Sequence, residues 1–349
     1  MFENSERTDL TELGEFGLIK HIAEHFPLSG ATSLIGIGDD AAMIDAQGNP
    51  VLVSTDSLLE GVDFDLMYTP LKHLGYKAVV SGISDICAMN GKPTQILVSI
   101  AMSNRFSLEA IEELYLGIKL ACEKYGVDLV GGDTSSSRQG LVVHITSMGL
   151  AVNEPVKRSG AKAGDLLVVS GDTGGAYMGL QILEREKRVF LEVKDMQPDL
   201  EPYDYIVGRQ LKPEARWDVI QMLNEMGVVP TSMIDVSDGI ASEIFHLGNA
   251  SGVGFEIYEN KLPIDPQTLQ VAQDFDLNPT VVALNGGEDY ELLMTISQEH
   301  FEKIKNNPDL SIIGYATEQV GKYNLITNAG NTFGIRAQGW DHFDGGATK

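Results

Sequence analysis

The sequence predicts an α/β (α+β) protein built as two domains. Three observations carry that expectation. The chain is 349 residues long, more than one hydrophobic core usually organises. Period-2 and all-apolar runs alternate with helical patterns along its whole length. The composition breaks at 153–165, where NEPVKRSGAKAGD brings Pro, Gly and three basic residues together, as a junction does. The expected domains are therefore 1–152 and 153–349.

In the first half, apolar or alternating runs at 51–56, 94–102 and 141–152 predict strands, and 11–26, 73–90 and 107–125 predict helices. The 107–125 helix is the best defined. Ser107 is placed to cap it, Glu109 and Glu112 suit its first turn, and Gly126 stops it. Its apolar stripe is Ile111, Leu114, Tyr115, Ile118 and Cys122. In the second half, strands are expected at 166–170, 253–258, 290–297 and 311–316, and helices at 175–186, 213–226 and 239–250. Residues 190–205 show no period and are expected to form a loop.

The formal net charge is −25, which argues against nucleic acid and anionic membrane as partners, because both call for a basic footprint. Nucleotides stay open, since divalent cations can sit between acidic side chains and a polyphosphate. No apolar run reaches the roughly 18 residues of a membrane span. Acidic residues from Glu3 to Glu15 interrupt any signal-peptide core. Cys87 and Cys122, each among apolar neighbours, suit free thiols in a cytoplasmic protein.

One device recurs: an apolar strand running into a turn that carries Gly and Asp. It is seen in GIGDD (36–40), VSTDS (53–57), GGDTSSS (131–137), SGDTGG (170–175), IDVSDG (234–239) and NGGEDYE (285–291). Singly, such turns are ordinary chain reversals. Six of them fit a phosphate site, because Gly admits backbone N–H groups to phosphate oxygens and Asp supplies hard ligands for Mg²⁺. SGDTGG reads either as part of that site or as a plain strand-to-helix turn. Asp85 stands inside a predicted helix among Ile83, Ile86, Ala88 and Met89. It faces either solvent, a backbone turn or a shared metal cluster. His21 and His25 share a helix face that reads as solvated. P-loop, protein-kinase, HExxH, CxxC and GxSxG motifs are missing, and GIGDDA lacks the third glycine of a dinucleotide fingerprint.

The ordered set GIGDDAA, STDSLLEGVDF, SDICAMNGKP, LVGGDT, KRSGAKAGD, DVSDG and GGEDYEL resembles the thiamine-monophosphate kinase family of the aminoimidazole-ribonucleotide-synthetase-like (PurM-type) superfamily. The likeness runs from the helix around Glu15 to GWDHF near the C-terminus. It implies Mg²⁺-assisted direct transfer from ATP to thiamine monophosphate. It also implies a mixed N-terminal sheet that pairs in a homodimer and a C-terminal α/β domain. Matched position by position, it implies Asp40, Ser54, Thr55, Asp56, Asp85, Asp133, Asp235 and Asp238 as metal ligands, with Asp56, Asp85, Asp133 and Asp238 at the reacting centre. Tyr115, Gly132, Asp133, Arg158 and Ser237 match ATP contacts, and Asp63, Glu288 and Trp340 match substrate contacts. Tyr115 also suits core packing, and Trp340 also suits closure of the second core. The chain departs from the family at EGVDF, where Asp63 stands in place of a histidine. A carboxylate cannot serve as both donor and acceptor in the way a neutral imidazole does. Related selenophosphate synthetases and hydrogenase-maturation proteins use a reactive Cys near one terminus, and neither MFENSERTDL nor GGATK has one. An acidic nucleotide or cation sensor is the non-enzymatic alternative.

Overall fold

The computed structural model describes residues 10–25, 28–192 and 197–336. Its N-terminal part contains α1 (Leu10–His25), β1 (Ser33–Ile35), β2 (Ala42–Asp45), β3 (Pro50–Leu59), α2 (Leu71–Ala88), β4 (Gly91–Met102), α3 (Leu108–Tyr125), β5 (Asp128–Ser136) and β6 (Val142–Ala151). The strands form one sheet in the order β1-β2-β3-β6-β4-β5. It is antiparallel except where β5 runs parallel to β4.

The rest contains β7 (Leu166–Ser170), α4 (Gly175–Glu192), α5 (Asp204–Leu211), α6 (Trp217–Glu225), β8 (Ser232–Asp235), α7 (Ile240–Ser251), β9 (Gly254–Tyr258), α8 (Pro266–Asp274), α9 (Pro279–Asn285), β10 (Leu292–Ile296), α10 (Phe301–Ile304), β11 (Leu310–Thr317), β12 (Tyr323–Ile326) and β13 (Thr332–Gly334). Its sheet has the order β13-β12-β9-β11-β7-β10-β8. No described helix is long and apolar enough to cross a membrane.

Several expectations need correction. VSTDS is not a turn but the middle of β3, paired to β6 with Thr55 opposite Thr146. GGDTSSS lies mostly in β5, an edge strand whose residues are all exposed. Its glycines weaken the β signal, and the parallel ladder to β4 supplies what propensity does not. The helix expected at 213–226 starts at Trp217, after an irregular turn that holds Glu214 and Arg216 in tertiary contacts. Residues 190–205 are not a plain loop. α4 runs on to Glu192, and α5 begins at Asp204.

Helix α2 is the structural centre. Fourteen of its residues are buried. On one side it packs on β3, β4 and β6, and on another it meets β8, α5 and α6. Leu74, Val79 and Ile83 share one core with Val168, Met233, Leu292 and Met294 of the second sheet. The other face of that sheet, with Leu167, Val169, Ile234 and Leu293, packs on Ile240, Ile244 and Leu247 of α7. Covering both faces explains why β8 and β10 are buried along their whole length. Each fully buried Leu or Ile contributes about 1.5–3 kcal/mol.

Helices α2 and α3 cross at a pair of glycines. A Cβ on Gly75 would fall on the Leu114 carbonyl oxygen, and one on Gly117 on the Lys72 carbonyl oxygen. Gly75→Ala should therefore cost about 1–3 kcal/mol by overpacking. Because α2 belongs to a core shared by both sheets, the loss should appear as one cooperative shift of the urea midpoint. An unchanged midpoint would contradict this crossing.

Candidate active site

The site grows from one face of α2. Lys77, Ser81, Ser84 and Asp85 lie at i, i+4, i+7 and i+8, so they line a single stripe. Asp85 meets Asp40 and Asp235 there. The three residues offer carboxylate oxygens within 4.8 Å of one another. Among the described residues they form the one such group of three. Asp40 comes from the GIGDD turn before β2, and Asp235 from the end of β8. The cluster thus joins both sheets through the helix between them.

Hydroxyls and one guanidinium hold these carboxylates. Ser54 donates to Asp85 Oδ2, and Ser84 donates to Asp235 Oδ2 at 2.7 Å. Arg158 donates to Asp40 Oδ1 from Nη2 at 2.7 Å and from Nε at 3.1 Å. Its backbone N–H donates to Asp39 Oδ1 at 3.0 Å. Asp40 Oδ2 is buried without a hydrogen-bond partner. Burial pushes the carboxyls of Asp40, Asp56 and Asp85 above the usual range, and Asp235 up to about 7. Repulsion adds to this: Asp235, Asp56 and Asp40 all raise Asp85. A hard-oxygen set with one orphaned oxygen and unrelieved repulsion fits a divalent cation such as Mg²⁺.

Alternation along β3 sorts the STD segment. Ser54 and Asp56 face α2, Asp56 close to Ser81, whose hydroxyl donates to the Ala78 carbonyl at 3.0 Å. Thr55 points to the opposite face, where its hydroxyl lies 2.9 Å from His144 Nε2 and 3.2 Å from Thr146 Oγ1. Its side chain therefore does not join the carboxylates.

Asp133 is also apart from them. With Gly132 and Tyr115 it lines an open groove of about 480 Å³ between β5 and α3. Gly132 is required there, because a Cβ would fall on the Val98 carbonyl oxygen. Tyr115 serves both readings of its stripe, since it lines the groove and packs against the shared core.

Beyond β8, Ser237 and Asp238 form the turn into α7. Asp238 N–H donates to Glu243 Oε1 at 3.0 Å, and the Ser237 carbonyl accepts from Glu288 N–H at 2.7 Å. The DVSDG and GGEDYE segments are thus stitched together. Glu288 has a left-handed φ of 64° and Tyr290 one of 52°. Lys77 Nζ lies 2.6 Å from Glu288 Oε1, and Gln210 Nε2 donates to Oε2 at 2.7 Å. Asp289 accepts from Gly174 N–H at 2.6 Å and from Ala176 N–H at 3.1 Å. SGDTGG therefore meets a carboxylate of the chain itself. Glu291 takes Arg209 at 2.9 Å, Arg216 at 2.5 Å and the Ser170 hydroxyl at 2.5 Å.

Asp63 Oδ2 accepts from Leu59 N–H at 2.8 Å and so braces the turn after β3. Its charge still reaches Asp56 and Tyr290. Trp340 lies outside the described residues. Sequence reasoning missed Lys77, Ser81, Ser84, Gln210 and Glu243. Glu243 had the same signal as Asp85, an acid amid apolar helix neighbours, and it is 2% exposed.

The raised carboxyls fix a pH dependence. Acids whose folded-state pKa lies above the unfolded value favour folding below the unfolded value, and that contribution is lost as pH rises through the folded one. Metal-free protein should therefore lose thermal stability between about pH 5 and pH 8, with Asp235 titrating near 7. Millimolar Mg²⁺ should restore it, and Asp235→Asn should flatten the profile. Melting scans with chelator would refute this if the wild-type protein and Asp235→Asn changed in parallel.

Known proteins share this fold. Residues 38–151 match the family described as AIR synthase related protein, N-terminal domain, and 162–323 match its C-terminal domain. The thiamine-monophosphate kinase of Aquifex aeolicus (strain VF5) is 33% identical over 336 residues, covering 96% of this chain and 99% of that protein. The Bacillus subtilis (strain 168) thiamine-monophosphate kinase is 33% identical over 338 residues, covering 95% and 100%. Among solved structures, "AaThiL complexed with AMPPCP and TMP" superposes with a TM-score of 0.81 at 32% identity, covering 97% of this chain and all of that one. The hydrogenase maturation protein HypE of E. coli, at 21% identity and a TM-score of 0.65 over 85% of this chain and 90% of that one, shares the fold alone. The chain belongs to the thiamine-monophosphate kinase family.

Proposed function

We propose that this protein transfers the γ-phosphoryl group of ATP directly to thiamine monophosphate, yielding ADP and thiamine pyrophosphate. One observation carries the reading. The Asp40–Asp85–Asp235 cluster and the Glu288 carboxylate are tied to the same face of one buried helix, α2. A cation-holding site and an acceptor-holding group on one rigid element suit a reaction whose difficulty is positioning two anions.

The chemistry needs no general base. The acceptor is a phosphate monoester with a second pKa near 6, so its oxygen is already ionised at neutral pH. That oxygen forms a bond to the γ-phosphorus while the bond to the β,γ-bridging oxygen breaks, and ADP leaves with the electron pair. Mg²⁺ on Asp40, Asp85 and Asp235, with Asp56 adjacent, would neutralise the phosphate charges that otherwise repel. Ser54 and Ser84 orient the carboxylates, and Arg158 fixes Asp40.

In this reading the groove of Tyr115, Gly132 and Asp133 receives the nucleotide, with Arg158 and Ser237 completing its contacts. Asp133 and Asp238 would hold further metal ions that neutralise the nucleotide's phosphates, and Thr55 would offer its backbone rather than its side chain. Glu288, Asp63 and Trp340 face the acceptor. Residues 1–152 supply most ligands, and 153–349 complete both substrate sites. A homodimer pairs the open faces of two N-terminal sheets. Exposed Leu129, Val130 and Leu150 on that sheet favour such a contact. The enzyme works in the cytoplasm.

The test is a substrate panel with ATP and Mg²⁺. Turnover is expected with thiamine monophosphate and not with thiamine or aminoimidazole precursors. Asp56→Asn and Asp85→Asn should each lower kcat by about a hundredfold or more while the fold persists. ATP binding with no acceptor-dependent turnover would favour a sensor and defeat the assignment. For Asp63→Ala, an unchanged KM for thiamine monophosphate would remove Asp63 from the acceptor site.

A further inference from the structure

Lys77 has no role in the chemistry so far, yet its placement is unusual. Its side chain is 3% exposed, and lysines are almost never that buried without a partner. The partner is Glu288 Oε1, at 2.6 Å. The other oxygen of the same carboxylate takes Gln210 at 2.7 Å. Glu288 thus has a donor on each oxygen, while its backbone is held in the left-handed region by the Ser237 carbonyl. Its side chain keeps 28% exposure. A carboxylate has about four lone-pair sites, so two bonds leave it able to accept from a ligand.

The helix adds a length constraint. Lys77 and Asp85 lie on one stripe, eight residues apart, which on a rigid helix is about 12 Å. That span suits an extended phosphorylated two-ring molecule. Its ring end would meet Glu288, and its phosphate would meet the carboxylate cluster.

We propose that Lys77 is a positioning residue for the acceptor: it fixes the Glu288 carboxylate at a set distance from the carboxylate cluster and acts on binding of the ring end, not on the transferring phosphoryl group. The ion pair has no net charge, so it selects the acceptor by hydrogen-bond geometry more than by attraction to a cation. Gln210 shares the task from α5, in the second domain. The proposal rests on the kinase reading and deepens it.

Steady-state kinetics with ATP, Mg²⁺ and thiamine monophosphate test it. Lys77→Met should raise KM for thiamine monophosphate by about tenfold or more, change kcat by less than about threefold, and leave KM for ATP unmoved. Lys77→Arg, which keeps the charge, should recover most of the loss. Because the two residues act as a unit, Lys77→Met combined with Glu288→Gln should be no worse than Glu288→Gln alone. A fall in kcat with KM unmoved, or additive effects of the two substitutions, would overturn the proposal. If Lys77→Met alone does not fold, the uncharged double variant compared with Glu288→Gln still decides the question. The two readings fail differently. Wild-type turnover with an indifferent Lys77→Met defeats the positioning role only, whereas a wild-type enzyme inactive on thiamine monophosphate defeats both.

Discussion

Helix α2 is packed between two sheets, and a helix in that position should be apolar all round. It carries a lysine, two serines and an aspartate on one stripe instead. Three of them are satisfied by groups from elsewhere in the chain: Asp235 for Ser84, Ser54 for Asp85 and Glu288 for Lys77. Burying this polar stripe forces the first sheet, the second sheet and the GGEDYE loop to close around it in one register. A site at the seam of two domains is often mobile, but here the seam is also a core. The GIGDD turn, β3, β8 and the GGEDYE loop are all referred to the same rigid rod.

Such closure has an electrostatic cost. Asp40 raises both Asp85 and Asp235, Asp235 also raises Asp85, and Arg158 offsets the charge on Asp40 and Asp235. Burial opposes the charge of Arg158 itself, but Asp40 outweighs it and holds the guanidinium protonated. The protein alone does not neutralise the cluster. A cation would, and the arrangement is more strained electrostatically without one than a core of the same shape would be.

Much of this was legible in the sequence, and the parts that were not have identifiable physical causes. Long elements with clear periods, such as α3 with its Ser107 cap and Gly126 stop, were read within a residue or two. β5 and β8 were not, because Gly131 and Gly132 carry no β signal and a four-residue strand has too few positions for a period. Asp40, Asp85 and Asp235 could be singled out by motif, but their convergence depends on sequence separations that no local pattern encodes. Thr55 shows the limit most clearly. Adjacent to Ser54 and Asp56 in the motif, it points away from both, since neighbours on a strand face opposite sides. Lys77 sat in an unremarkable run, LGYKAVV, and only its partner distinguishes it.

The Asp289 carboxylate at the start of α4 has a consequence of its own. Free backbone N–H groups at a helix start are a general receptor for small anions. Here that receptor is occupied by a tethered anion, and tethering gives the carboxylate an effective concentration of order millimolar or above. A dissolved phosphate would have to compete with it. The SGDTGG turn has thus been withdrawn from ligand traffic and made into an internal latch. The anionic substrates are left to the groove beside Asp133 and to the stripe of α2.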